Sequence, residues 1–295
     1  MASLAFLDTW PGCVTRKAAL APFTSLKMGG LAAALVKPPD ATTLAAILKA
    51  IQKHKTQVRF LGSGTNILVR DEGFQGIVIQ FSEPAFQTIT VKDNKLIAKT
   101  GTTLSNLLAT AARHHLGGLE SLVGLPGTVG GALKNDLKVK TGPLSQFVSK
   151  VELLDAQGKI AWHGRDDVPI DQLLSTPDGA IILGAEFELH TDQEEAIVKR
   201  IRKNWIHVKT HQPMTFERAA RLFRDPPGGT ASQLIVKASA QLNKVGGASL
   251  SERDANYVVV KDPVKTADVL KLMEVVQQQV EDRLGDVLQA SLLVW

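Results

Sequence analysis

The sequence predicts an α+β fold, because apolar stripes at helical spacing alternate with short β-rich runs, and two turns between these runs are typical of hairpins. The chain has 295 residues, which is enough for about two domains of ordinary size. Hydrophobic residues make up 44% and charged residues 21%, the balance of a globular protein that buries a core without staples.

Three segments carry apolar residues at helical spacing, and each predicts a helix that packs one face against a core. Thr42 or Thr43 is expected to cap the first helix, and Thr266 the third, because threonine oxygens accept hydrogen bonds from the free N–H groups of a first turn. The three stripes are Leu44, Ile47, Leu48 and Ile51; Leu104, Leu107, Leu108 and Ala111; and Val269, Met273, Val276 and Val280.

A fourth helix, rich in charge, is predicted from Glu194 to His207. Acidic residues stand at its start and basic residues follow, an order that suits the helix dipole. The Gln212-Pro213 pair after it predicts a joint between domains.

Runs rich in Val, Ile and Phe, separated by Gly, Asp or Asn, predict strands. The turns at Asp93-Asn94 and Gln157-Gly158 join two pairs of these runs as hairpins. The predicted strands are Gln57–Leu61, Gly76–Phe81, Thr88–Val91, Leu96–Lys99, Lys150–Asp155, Lys159–His163, Ala180–Leu189 and Asn256–Lys261.

Composition argues against several classes of function. The net charge of +5 and pI of about 9.2 are modest, and aromatic residues are only 5%, so we expect no nucleic-acid partner. No segment has the ~18–20 consecutive apolar residues of a membrane helix. The N-terminus lacks a basic lead-in and Asp8 interrupts its apolar patch, so we expect no signal peptide.

The single cysteine, Cys13, excludes a disulfide framework, a CxxC pair and a His/Cys metal cluster, so no metal ligands are predicted. One cysteine is typical of a reducing compartment, and we expect a cytoplasmic protein. We interpret Cys13 itself as a small residue that fills space near the N-terminus.

The first glycine-rich loop is Gly62-Ser63-Gly64-Thr65-Asn66, which follows a predicted strand. Such a loop lets backbone N–H groups approach a pyrophosphate, and its three polar side chains add donors. It is not a Walker loop, and Ile67 stands where a GxGxxG fingerprint needs glycine. Taken alone, it is equally consistent with an ordinary tight turn.

The second glycine-rich loop is Gly124-Leu-Pro-Gly-Thr-Val-Gly-Gly-Ala132, with four glycines in nine residues. Gly127, Gly130 and Gly131 remove side chains where a flat ring or a phosphate could lie against the backbone. A structural turn packed on a sheet is the alternative. Two further segments complete the set, Thr24–Ala32 and Lys244–Val259.

In order and spacing, the four segments resemble the UDP-N-acetylenolpyruvoylglucosamine reductase (MurB) family. The family pattern LGxGSNLLVRDxGFxGVVI compares with LGSGTNILVRDEGFQGIVI here, and GxPGTVGGA compares with GLPGTVGGA. Weaker counterparts are TSLKMGGLA and GGASLSERDANYVVV. The resemblance extends from about Ala21 to Trp295.

The resemblance implies an FAD-binding fold of the vanillyl-alcohol-oxidase/PCMH type, built of two α+β subdomains and followed by an α+β substrate domain. The expected boundaries are residues 1–83 and 84–207 for the two FAD-binding subdomains and residues 208–295 for the MurB C-terminal-like domain. Within the last of these, the segment from Pro213 to Asp286 would form the substrate domain.

The resemblance also implies cofactors and a site. FAD is the expected cofactor, with NADPH as a possible reductant and a UDP-sugar, UDP-N-acetylglucosamine enolpyruvate, as the family substrate. The first loop would hold the flavin pyrophosphate through Gly62, Ser63, Gly64, Thr65 and Asn66. The second would lie along the flavin through Gly127, Thr128, Val129, Gly130 and Gly131.

None of the three catalytic side chains of the family is matched. Arg221 falls at the position of the proton-donating serine, and an arginine does not give up a proton near neutral pH. Ser291 falls at the position of the glutamate. The segment Ile170–Pro177, where the family has a Tyr-Arg pair, contains no arginine, and in the loop Leu133–Lys140 only Asn135 corresponds to the family's polar loop.

Two explanations of these differences stay open. The alignment could be displaced by one or two residues, or a rearranged site could recruit Ser232, Ser239 or Asp254. The commonest fate of an arginine such as Arg221 is a surface or ion-paired position.

Four hypotheses follow. The first is a catalytically impaired relative that keeps the fold and FAD, with a regulatory or scaffolding role. The second is a working flavin oxidoreductase with an altered substrate or proton donor. The third is the family reaction unchanged, and the fourth is a binding module that has lost flavin as well.

Overall fold

The computed structural model describes residues 4–135, 137–139, 141–167, 169–175, 179–211 and 218–295. The predicted joint at Gln212-Pro213 lies outside the described residues, as do parts of three other predicted segments: Asp136 and Lys140, Thr176 and Pro177, and Pro213 at the start of the substrate domain.

Helices in the described residues fall into two classes. The α-helices are α1 (Ala41–Lys53), α2 (Leu104–Arg113), α3 (Val129–Lys134), α4 (Ile170–Ser175), α5 (Glu194–His211), α6 (Ala231–Lys237) and α7 (Thr266–Leu284). Short 3₁₀ helices span Ala5–Thr9, Pro11–Cys13, Ala21–Phe23, Pro84–Phe86, Glu120–Leu122 and Leu144–Phe147.

Strands occur throughout the described part of the chain. They are β1 (Val14–Ala19), β2 (Leu31–Val36), β3 (Val58–Leu61), β4 (Ile67–Leu68), β5 (Phe74–Gln80), β6 (Ile89–Lys92), β7 (Lys95–Lys99), β8 (Leu116–Gly117), β9 (Lys138–Val139), β10 (Gly142–Pro143), β11 (Val148–Leu154), β12 (Ile160–Gly164), β13 (Ile181–Glu188), β14 (His190–Thr191), β15 (Ala219–Arg221), β16 (Lys244–Val245), β17 (Ala248–Leu250), β18 (Tyr257–Val260) and β19 (Leu293–Val294).

The three predicted helical stripes are confirmed as the buried faces of α1, α2 and α7. Leu48, the one stripe residue that is not fully buried, still packs against the core of α1. The predicted charged helix is also confirmed as α5, which begins with Glu194 and Glu195 and extends four residues past its expected end.

Both predicted helix caps are wrong. The first turn of α1 is capped by Asp40, whose carboxylate accepts a 2.7 Å hydrogen bond from the backbone N–H of Thr43. Thr266 is the first residue of α7 rather than its cap. Its hydroxyl instead accepts from the backbone N–H of Asp71, while its own N–H donates to the Asp71 carboxylate at 3.0 Å.

Three sheets form the framework. The four-stranded sheet has the order β1-β2-β5-β3, with β3 parallel to β5. The five-stranded sheet has the order β12-β11-β13-β7-β6, and its four strand pairs are all antiparallel. It contains both predicted hairpins, β6–β7 through Asp93-Asn94 and β11–β12 through the turn with Gln157-Gly158, which are thereby confirmed. The third sheet has the order β15-β18-β17-β16.

The chain divides into two compact units. The first comprises residues 1–16, 34–63 and 76–208, and the second comprises residues 17–33, 64–75 and 209–295. The first unit contains two apolar cores, one against the five-stranded sheet and one around α1 and β5. The second contains one core, built mainly by α6, α7 and the third sheet. The boundaries expected at residues 83/84 and 207/208 stay a prediction.

Helix and strand composition agrees with the predicted α+β class. Among the helices that the structure describes, none combines the length and the apolar character that crossing a lipid bilayer requires. Within the same residues, no three His, Cys, Asp or Glu side chains gather as a set that could hold a metal ion.

Helix α5 fixes the segment that leads into the second glycine-rich loop. Arg200 donates to Glu120 at 2.7 Å and to Asp192 at 2.6 Å, and the Glu120 side chain is only 7% exposed. The Glu120 carboxylate also accepts from the backbone N–H of Gly118 at 3.0 Å. Because Gly124 lies against the Trp205 side chain, the same helix supports both ends of the segment.

We expect Arg200→Ala to lower the free energy of unfolding, because it leaves the buried Glu120 carboxylate without its cation. Breaking a fully buried pair costs ~3–5 kcal/mol. The Arg200 side chain is 41% exposed, so solvent screening reduces the expected loss to about 1–2 kcal/mol. Urea unfolding measures it, with Arg202→Ala on the exposed face of α5 as the control. Equal stability of the two variants would contradict a supporting role for this ion pair.

Candidate functional site

The first glycine-rich loop begins where β3 ends. Gly62 and Ser63 belong to the first unit, and a Cβ atom placed on Gly62 would lie 2.7 Å from Oγ1 of Thr128 in the second loop. Real Cβ atoms do not approach another atom so closely. The two predicted loops therefore meet at this point, and glycine at position 62 permits the contact.

The second loop is held against the residues that lead into α2. The backbone N–H of Gly130 donates to the Thr100 carbonyl and that of Val129 to the Thr102 carbonyl, both at 2.8 Å. A Cβ atom on Gly130 would lie 1.9 Å from Oγ1 of Thr100. Glycine at position 130 is thus required by close packing, while Gly127, Thr128 and Gly131 keep part of their surface exposed.

Buried polar atoms without partners occur at and just after the end of β5, the strand that pairs with β3. Oε1 of Gln80 and Oγ of Ser82 are both buried and have no hydrogen-bond partner among the described residues. Gln80 is the last residue of β5 and pairs in parallel register with Leu61, the residue before Gly62. Ligands of open sheets with parallel strands bind where such strands end. Two loops rich in small residues, next to a strand end with unmatched polar atoms, fit a dinucleotide such as FAD.

The rest of the first loop belongs to the second unit and has partners there. The carbonyl oxygens of Gly64 and Thr65 accept from the backbone N–H and the hydroxyl of Ser25, at 3.0 and 3.4 Å. The side-chain amide of Asn66 donates to the Ser291 carbonyl at 2.9 Å. Asn66, part of the predicted pyrophosphate loop, therefore also holds the segment that leads into the C-terminal strand β19.

Arg221 lies on β15 and forms an ion pair with Asp225, with 2.5 Å between Nη2 and Oδ2. The other oxygen of Asp225 accepts from the backbone N–H of Ala231 at 3.0 Å, at the start of α6. Burial alone would lower the pKa of Arg221, but the bond to Asp225 outweighs it and the pKa is raised. Arg221 is thus a fixed, permanently charged side chain.

Ser291, which the resemblance aligns with the family glutamate, is held through its backbone, because its N–H donates to the Leu222 carbonyl at 2.8 Å. The segment Ile170–Ser175 forms helix α4, and its sequence contains no arginine. The side-chain amide of Asn135 folds back onto the Gly131 carbonyl at 2.8 Å.

Ser232, Ser239 and Asp254 were considered as members of a rearranged site, and of these Asp254 interacts electrostatically with Arg221. Its charge acts on the pKa values of both Arg221 and Tyr257. Ser232 lies within α6 and Ser239 lies just after it.

Tyr257 was not predicted as a site residue. It stands opposite Arg221 in the register of β15 and β18 and is 9% exposed. Burial raises the pKa of Tyr257 to about 12, with Arg221 lowering it and the two aspartates raising it. Its being the only tyrosine was the one signal in the sequence.

Because the chain has one tyrosine, the absorbance of tyrosinate follows Tyr257 alone. We expect a midpoint near pH 12 in the folded protein, against ~10 in denaturant. Between these two pKa values the folded state keeps the Tyr257 proton and the unfolded state loses it. The contribution of Tyr257 to the free energy of unfolding is therefore complete below ~pH 10 and declines as the pH rises toward 12. Tyr257→Phe should remove both the absorbance change and this part of the decline. A midpoint near 10 with intact circular dichroism would refute the buried setting.

Comparison with known proteins matches both parts of the chain. Residues 32–164 match the family model described as FAD binding domain. Residues 212–295 match the model described as UDP-N-acetylenolpyruvoylglucosamine reductase, C-terminal domain.

Relatives and a solved structure cover nearly the whole chain. The UDP-N-acetylenolpyruvoylglucosamine reductase of Rhodopirellula baltica is 30% identical over 92% of this chain and 88% of that protein. That of Moorella thermoacetica is 32% identical, over 94% and 91%. The crystal structure of UDP-N-acetylenolpyruvylglucosamine reductase (MurB) from Thermus caldophilus superposes with a TM-score of 0.78 at 28% identity, covering 96% of this chain and 98% of that chain.

These matches confirm the predicted fold class, an FAD-binding fold of the PCMH type followed by a MurB C-terminal domain. They also confirm the resemblance that the two glycine-rich loops indicated. Relatives with 30% identity or more over nine tenths of the chain show a common family. This chain belongs to the UDP-N-acetylenolpyruvoylglucosamine reductase family.

Proposed function

We propose that this chain is an FAD-binding flavoprotein of peptidoglycan precursor synthesis that is impaired in the reaction of its family. The observation that carries FAD binding is the contact of the two loops at Gly62 and Thr128, which brings two segments rich in small residues together. Family membership supplies the metabolic setting.

The residues proposed to hold FAD are those of the two loops. Gly62, Ser63, Gly64, Thr65 and Asn66 are assigned to the pyrophosphate, because small residues let backbone donors approach it. Gly127, Thr128, Val129, Gly130 and Gly131 are assigned to the flavin side. FAD, when bound, would carry reducing equivalents from NADPH to the double bond of a UDP-linked enolpyruvyl sugar.

The impairment rests on Arg221. A proton must reach the carbon next to the one that receives hydride, and the family residue for this step is a serine. Here the position carries a guanidinium fixed by Asp225, with a pKa raised above its ordinary value. Such a group stabilises negative charge but does not donate a proton. Ser291 in place of the glutamate removes a second contribution.

The second candidate function is an active flavin oxidoreductase with a different proton donor or substrate. It is favoured by Tyr257, which faces position 221 across the β15–β18 pair and keeps its hydroxyl proton at neutral pH. A neutral hydroxyl beside a cation is a chemically adequate donor.

We also propose a cytoplasmic location. The chain has one cysteine, as is typical of proteins in a reducing compartment, and its family acts on a nucleotide-linked sugar. We propose no nucleic-acid or membrane partner.

Gly62→Ala should weaken FAD binding, because the added methyl group must displace Thr128 and move the loops apart. We expect at least about a tenfold rise in the Kd, measured by quenching of flavin fluorescence. Gly12→Ala is the matched control, since a Cβ atom at Gly12 meets nothing within 4 Å. Equal affinities of the two variants for FAD would show that the contact of the two loops at Gly62 has no role in FAD binding.

Anaerobic titration with NADPH, followed by the enolpyruvyl UDP-sugar, tests the impairment. We expect the wild type to bind FAD but to reduce this substrate poorly, and Arg221→Ser alone to give no robust activity, because the other charges are still missing. Robust turnover by the wild type would contradict the proposal. If that turnover were lost in Tyr257→Phe while flavin reduction persisted, the second candidate function would be correct.

A further inference from the structure

Two buried polar atoms of the first unit stand out because nothing in the described chain satisfies them. They are Oε1 of Gln80 and Oγ of Ser82. Buried polar atoms of proteins almost always have a hydrogen-bond partner. A pair without partners, two residues apart and beside a candidate site, points to a partner that is not part of the chain.

The backbone of this segment is adjacent to residues that lead into the first glycine-rich loop and to residues that hold the second. On one side, Gln80 pairs with Leu61, so that the end of β5 lies next to the start of the first loop. On the other side, a Cβ atom on Gly101 would lie 2.0 Å from the carbonyl oxygen of Phe81. Gly101 belongs to the turn whose neighbours, Thr100 and Thr102, hold the second loop.

We propose that Gln80 and Ser82 form a subsite for a sugar hydroxyl of FAD, either on the ribityl chain or on the ribose. This inference rests on the proposed binding of FAD. It adds two residues that neither glycine-rich loop contains, and it assigns them a defined part of the ligand.

The chemistry of the two atoms selects this part of the ligand. The carbonyl oxygen of a glutamine side chain only accepts hydrogen bonds, so its partner must be a donor. An ionised pyrophosphate offers only acceptors and cannot satisfy this oxygen. A sugar hydroxyl donates and accepts through one oxygen, and can therefore donate to Gln80 and accept from Ser82. An amino group of adenine is the competing donor, which the experiment separates.

The test uses Gln80→Met, which keeps the length of the side chain but removes the acceptor, and Ser82→Ala. Each should raise the Kd for FAD about three- to tenfold, the worth of one hydrogen bond. The protein without ligand should keep or raise its Tm, because each change removes an unsatisfied buried atom. Weaker FAD binding together with an unchanged or higher Tm distinguishes a ligand contact from a structural contact, whose loss would lower the Tm. Gln52→Met, on the exposed face of α1, is the control.

Shorter ligands identify which sugar is bound. Weaker binding of FMN by the variants assigns the subsite to the ribityl chain, and weaker binding of ADP assigns it to the ribose, and either result supports the inference. If the loss with ADP disappears when inosine diphosphate is used, the partner is the adenine amino group and the sugar assignment is overturned.

Two further results would overturn the inference, and they differ from each other. If the wild type binds FAD and both variants bind it equally well but unfold at lower temperature, the two atoms are held by internal water and only this inference fails. If the wild type binds no flavin, the proposed function fails with it.

Discussion

Close packing of glycine backbone against threonine side chains sets the geometry of the first unit. At position 130 a side chain would overlap the hydroxyl of Thr100, and at position 62 it would overlap that of Thr128. Because neither position has room for even a methyl group, the strand β3, the turn before α2 and the start of α3 converge within contact distance. This convergence brings the two glycine-rich loops into contact.

Local patterns accounted for the elements but not for their ends. The period of apolar residues predicted α1, α2 and α7, and the residue types at Asp93-Asn94 predicted a hairpin, because these signals depend on neighbours in sequence. The caps were different. Asp40 caps α1 in place of Thr42 or Thr43, and Thr266 forms hydrogen bonds with Asp71, 195 residues away. A contact over such a distance leaves no local trace in the sequence.

The candidate site shows the same division. Its glycine-rich loops could be predicted, because glycine has no side chain and clusters of it mark places where backbone can approach a ligand or another segment. The buried atoms of Gln80 and Ser82 could not, because a glutamine at a strand end is ordinary in sequence and becomes unusual only when it is buried without a partner. Tyr257 was likewise noticed as a single tyrosine, while its raised pKa depends on burial that only the fold reveals.

Binding and catalysis make separate demands on this chain. Holding a dinucleotide by backbone groups depends on positions where side chains are forbidden, and most of these lie in the first unit. In the proposed function, moving a proton would depend on the side chains at positions 221 and 257, which lie in the second unit. An arginine where the resemblance implies a serine would alter only the second requirement, because Arg221 is held by Asp225 and Asp225 in turn by Ala231, all within the second unit. Retention of the flavin fold is therefore physically compatible with loss or change of the family's chemistry.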